Sequence, residues 1–177
     1  MKCFNMDESH SFADFREIIA KLRQECPWDR AQTLSSLLPC LFDEMAETAA
    51  GVHLYEKTGD AENLCEELGD LLMVILLESR IAEEKGLFSL EDVIEGISRK
   101  MIRRHPHVFG CGLVDENGEL VRKWDEIKRL EKAGKTEEQI LRGKEAVRAA
   151  EEEIGGYFAQ EKEIPQSSVR GIGYLSV

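Results

Sequence analysis

Apolar residues return at helical spacing through most of this chain, and very few segments alternate as a strand would. Ser11 and Asp14 make a capping pair ahead of Phe12, Phe15, Ile18, Ile19 and Leu22, which predicts a helix over about 11–24. "CPWDRAQT" then reads as an ordered loop, since Pro27 disfavours helix at Cys26 and Thr33 offers a cap to the next helix. Good helix formers run from Leu34 to about Lys57 and stop at "TGD"; Asp60 caps a third helix that ends near Lys85 and Gly86. Ser89 and Asp92 repeat the capping pattern for a fourth helix at about 90–104, closed by Pro106. Residues 112–121 hold an Asn117-Gly118 pair that suits a short hairpin or a simple turn equally. Residues 120–132 and 136–153 look helical again, and the aperiodic end "IPQSSVRGIGYLSV" reads as a flexible tail. The expected architecture is all-α: an antiparallel four-helix bundle with additional C-terminal helices, divided into a domain at 1–132 and an extension at 133–177.

One break in this pattern carries chemistry. Leu71–Leu77 is apolar at every position, so that helix is expected to have no exposed side there, yet "CEELGD" stands at its mouth. Glu67 and Asp70 lie one turn apart on one face, and Glu44 and Glu47 repeat that spacing on the preceding helix. If the two helices pack antiparallel, all four carboxylates converge, with Glu66 turned outward. A single Glu pair at this spacing is usually a solvated helix face, but two pairs on neighbouring apolar helices are not so easily hydrated. Clustered anions withdrawn from water repel one another and lose hydration, which a hard divalent cation relieves. Oxygen donors without nearby His or Cys favour magnesium, or manganese, over zinc or copper. A di-iron centre is disfavoured because no His follows a Glu by three residues.

Charge and cysteine usage narrow the picture. A formal net charge of −12 argues against binding nucleic acid or an anionic membrane. Five scattered cysteines without a CxxC pair indicate neither a disulfide framework nor a structural zinc site. No signal-like N-terminus or membrane-length apolar run is present, and a cytoplasmic location is expected. Against the acidic background "SRKMIRRHPH" gathers Arg99, Lys100, Arg103 and Arg104, which suits a polyphosphate as well as it suits a helix C-terminus. His105 and His107 fit helix-stop roles better than metal ligation. Trp28 and Trp124 offer planar surfaces that could stack on a nucleobase or pack in an interface.

Taken in order, "CPWDRAQT", "DEMAET", "EELGDLL" and "RRHPHVFG" resemble the MazG-like nucleoside triphosphate pyrophosphohydrolases over about residues 12–132. The family pattern Glu-Glu-x-x-Glu followed by Glu-x-x-Asp is met by Asp43-Glu44-x-x-Glu47 and Glu67-x-x-Asp70, with Asp43 in place of the first Glu. The resemblance implies that Glu44, Glu47, Glu67 and Asp70 are magnesium ligands and catalytic residues, that Lys100 and Arg104 contact a triphosphate with Arg103 beside them, and that Trp124 meets the nucleotide. It implies hydrolysis of a nucleoside triphosphate to monophosphate and pyrophosphate by water attack at the α-phosphorus. Glu44 or Glu47 would be the general base, and the chain would form a homodimer or higher homo-oligomer. A specialised enzyme of the dimeric dUTPase or phosphoribosyl-ATP pyrophosphohydrolase kind, or a non-catalytic nucleotide-binding regulator, shares much of this pattern.

Overall fold

The computed structural model describes residues 4–113, 118, 121 and 124–161, with Trp124, Gln160 and Glu161 described by their backbone alone. Most of the turn or hairpin expected at 112–121, Asn117 included, and all of the tail expected at 164–177 therefore lie outside the described residues. Eight helices and no strand occur among them: α1 (Phe12–Glu25), α2 (Pro27–Ala31), α3 (Leu38–Thr58), α4 (Glu62–Glu84), α5 (Leu90–Arg104), α6 (Pro106–Phe109), α7 (Trp124–Lys132) and α8 (Glu137–Glu161). The chain is all-α, as its apolar spacing predicts. It divides into two compact units, Met1–Asp92 and Val93–Val177.

Both capping boxes form. The Ser11 N–H donates to Asp14 Oδ2 at 2.8 Å, and the Asp14 N–H donates back to Ser11 Oγ at 3.3 Å. Ser89 and Asp92 make the same reciprocal pair at 2.8 and 3.2 Å. Each box satisfies donors that a helix start leaves orphaned. At the other end of α3, Gly59 takes φ +76°, a left-handed conformation that a side chain would strain, and its N–H returns to Tyr55 O at 2.8 Å. Gly86, at φ +66°, closes α4 in the same region.

Two short helices replace expected irregular chain. In both, a proline sits at the start of the helix, where its missing N–H costs nothing and its fixed φ favours helical entry. Pro27 thus begins α2 inside "CPWDRAQT", and Pro106 begins α6 after ending α5. Leu34–Ser36 are turn rather than helix, so α3 starts at Leu38, with Pro39 in its first turn. The reciprocal bonds between Thr33 and Ser36, at 2.8 and 3.1 Å, hold that turn. α8 continues to Glu161, past the expected end near 153.

In the first unit, Ile19 of α1, Leu37, Leu76, Leu77 and Ile81 of α4, and Leu90 form the buried core. Arg23, buried at the end of α1, ties the loop region to α4. Its Nη1 donates to the backbone oxygens of Asp29 and of Gln32, and its Nη2 reaches Glu84 Oε2 at 2.6 Å. Core packing covers one side of α4 only. Leu68, Leu72 and Ile75 are exposed by 52%, 37% and 39%, so the apolar run is not buried on every side as its composition suggests. A run without polar residues has no means of declaring which side stays open. In the second unit Ile127 and Val121 are buried, and the Val121 N–H donates to Leu113 O at 2.9 Å.

Candidate metal centre

Packing between α3 and α4 creates the candidate site. Thr48 Oγ1 on α3 donates to the Glu67 backbone oxygen on α4 at 3.4 Å, and Gly51 lies against Leu64. Increasing numbers on one helix thus meet decreasing numbers on the other: the pair is antiparallel. The close approach depends on Gly51, because a Cβ there would stand 3.0 Å from Leu64 Cα.

That register brings Glu44, Glu67 and Asp70 together. Each offers a carboxylate oxygen, and these oxygens lie within 4.8 Å of one another. Glu44 is 1% exposed, and its Oε2 has no hydrogen-bond partner among the described residues. A buried, unpartnered carboxylate oxygen beside two more carboxylates is a costly arrangement for a protein alone. An all-oxygen donor set of this kind fits a hard divalent cation, and the orphaned Glu44 oxygen is where such an ion would find a ready ligand. Glu47 stands beside the trio, exposed overall, with its carboxyl sharing a hydrogen bond with Glu67.

The electrostatics agree with that geometry. Burial, then the charges of Asp70, Glu47 and Glu67, push the Glu44 carboxyl from 4.5 up to about 7. Glu47 is raised by partial burial of its carboxyl end and then by Glu67, and Asp70 by burial and then by Glu67. Crowding reaches the Cys40 thiol one turn before Glu44, which is raised by burial and then by Asp43 and Glu44.

The expected anion-binding residues belong to the second unit. Arg103 and Arg104, adjacent on α5, converge on Glu131 of α7. Arg103 Nη2 reaches Oε1 at 2.6 Å, and Arg104 Nη2 reaches Oε2 at 2.6 Å. The two guanidiniums hold Glu131 at about 2, well below its ordinary 4.5. Lys100 is half-buried one turn before Arg104. His105 Nδ1 lies 2.7 Å from Met101 O, a helix-end hydrogen bond rather than metal ligation. Trp28 is 43% exposed on α2 in the first unit, and Trp124 begins α7.

Comparison with known proteins bears on the whole set. Residues 32–109 match the MazG nucleotide pyrophosphohydrolase domain. A solved MazG-related protein from Thermotoga maritima is 31% identical, with a TM-score of 0.51 over 65% of this chain and 96% of that one. The chain belongs to the MazG family.

Among curated MazG relatives, the Thermotoga maritima nucleoside triphosphate pyrophosphohydrolase/pyrophosphatase MazG is 41% identical over 73% of this chain and 48% of its own length. The Escherichia coli K12 nucleoside triphosphate pyrophosphohydrolase is 34% identical over 66% of this chain and 43% of its own. The uncharacterized protein YabN of Bacillus subtilis is 42% identical over 70% of this chain and 25% of its own. The chain therefore spans between a quarter and about half of these relatives' lengths. The MazG match contains all four carboxylates together with Lys100, Arg103 and Arg104, while Trp28 and Trp124 fall outside it. Three contributors went unnoticed in the sequence: Asn63, which donates to Glu67; Glu131, which pairs with both arginines; and Arg23, which anchors the α2 loop. Only Asn63 had a local signal, standing four residues before Glu67 on the same helical face.

Proposed function

We propose that this MazG-family chain is a magnesium-dependent nucleoside triphosphate pyrophosphohydrolase, releasing pyrophosphate and a nucleoside monophosphate. The observation that carries this reading is the Glu44, Glu67 and Asp70 trio, with its buried and unpartnered Glu44 oxygen, inside the stretch that matches the MazG domain. Residues 1–132 are taken as the pyrophosphohydrolase domain.

In this reading Glu44, Glu67 and Asp70 hold magnesium, or manganese in its place. When bound, such an ion supplies charge neutralisation and Lewis acidity toward phosphate oxygens. We assign the general base to Glu47 rather than Glu44, because Glu47 is exposed beside the trio and a base must be reachable by the water it activates before that water attacks the α-phosphorus. By the family resemblance alone, Lys100, Arg103 and Arg104 are assigned to the phosphates, the two arginines exchanging Glu131 for phosphate oxygens, and Trp124, or Trp28 by its planar face, to the nucleobase. The exposed Leu68, Leu72 and Ile75, spaced along one side of α4, support self-association as a homodimer or larger homo-oligomer.

The deciding experiment incubates a panel of triphosphates, including dUTP, dCTP, purine triphosphates and phosphoribosyl-ATP, with the protein and magnesium, and separates pyrophosphate from orthophosphate. Pyrophosphate release that drops at least 100-fold in Glu67→Gln and Asp70→Asn is the expected result. Full activity in those variants would show that the trio is not the catalytic site, and nucleotide binding with no product would remove the enzymatic reading.

A further inference from the structure

The Glu67 carboxylate is already held from one side. Asn63, one turn earlier on α4, donates from Nδ2 to Glu67 Oε1 at 2.7 Å. The amide lies at the same close approach of the helices: Asn63 Oδ1 would stand 3.3 Å from a Cβ at position 51, where the glycine leaves it room. Thr48 fixes the backbone at the same level through its bond to the Glu67 carbonyl. A neutral amide does not offset the charge of the cluster. Its effect is directional: it engages Oε1 alone, while the other contact of the Glu67 carboxylate is the hydrogen bond shared with the Glu47 carboxyl, which an arriving ion can displace.

The number of oxygens a carboxylate can offer separates divalent ions. Magnesium requires near-octahedral geometry at about 2.0–2.1 Å, which single-oxygen ligands satisfy, whereas calcium takes about 6–8 oxygens and accepts carboxylates through both. Partners that orient a ligating group typically change metal affinity by about 10–100-fold when removed.

We propose that Asn63 is a positioning residue that restrains Glu67 to one-oxygen coordination and so biases the centre toward a small octahedral cation over calcium. This rests on the reading that the Glu44, Glu67 and Asp70 cluster holds a divalent ion.

The test titrates the metal-free full chain with magnesium, manganese and calcium chloride by calorimetry, without nucleotide, for the wild type and for Asn63→Ala and Asn63→Leu. Circular dichroism confirms that each variant keeps its helix content. Magnesium and manganese affinity are expected to fall about 10-fold or more in both variants, with calcium affinity falling less or rising, so that the magnesium-to-calcium ratio shrinks. An unchanged ratio overturns the proposal, whether affinities stay constant or all fall together as from a loosened fold. Glu67→Gln tests the underlying reading separately: wild-type metal binding in that variant would show that the cluster is not the metal site.

Discussion

At Glu44 a proposed metal ligand works against stability. Its carboxyl ordinarily titrates near 4.5 and is raised to about 7 by burial and by the neighbouring carboxylates. The folded state therefore binds the proton more tightly than the unfolded state between those values, and folding is favoured as pH falls through that window. The metal-free protein is expected to melt at a higher temperature at pH 5 than at pH 8, and saturating magnesium should remove much of that difference by occupying the trio. Differential scanning fluorimetry across pH, with EDTA or magnesium, reads both effects. Glu44→Gln should flatten the metal-free profile while abolishing pyrophosphate release. Glu131 has the opposite sign. Held at about 2 by Arg104 and Arg103, it contributes stability above about pH 4.5 that is lost as pH falls toward 2. Glu131→Gln should therefore lower stability at neutral pH and converge with the wild type near pH 2, as followed by chemical unfolding at each pH.

Among the elements, α5 was the most legible, expected at about 90–104 and found there, while α3 and α4 had their glycine stops and their carboxylates one turn apart written locally and only the start of α3 was misplaced. The capping boxes at Ser11 and Ser89 were equally plain, being complete within four residues of chain. What escaped was context. Proline at Pro27 and Pro106 reads as a stop when the preceding helix is in view and as a start when the following one is, and only the folded chain shows both. Arg23 could not be matched to Glu84 from a pattern, since their partnership depends on α1 meeting α4. Glu131 likewise needed α7 to be placed against α5. The same long-range contacts make definite predictions. Arg23→Met would leave two loop carbonyls without their donor and Glu84 with Arg80 as its remaining partner, and should cost about 1–3 kcal/mol in urea unfolding. Gly51→Ala sets a helix-propensity gain of up to about 1 kcal/mol against overpacking of about 1–3 kcal/mol. Because the obstructing atom is Leu64 backbone, overpacking should win and the variant should melt lower.

For the whole molecule, the all-α class followed from apolar periodicity, and the family from four short stretches in a fixed order. Neither told which side of the Leu71–Leu77 run stays open, and that side decides what the chain can associate with. If Leu68, Leu72 and Ile75 form a contact between copies, Ile75→Glu should weaken self-association at least 10-fold, as measured by sedimentation over a range of concentrations, while leaving helix content unchanged. No helix among the described residues is long and apolar enough to cross a membrane, and the net charge of −12 gives little reason to expect an anionic partner surface.

The left-handed glycine at Gly59 closes the turn between α3 and α4, and everything from Glu44 to Asp70 lies in the single helical hairpin it joins. Loop-closure entropy is small for such a neighbouring pair, so these contacts cost little chain entropy to make. The carboxylates proposed to bind the ion can thus be assembled without distant parts of the chain having to meet. A divalent ion present during refolding should then act on the speed of folding as well as on its end point, with magnesium raising the refolding rate in stopped-flow experiments and losing that influence in Glu67→Gln.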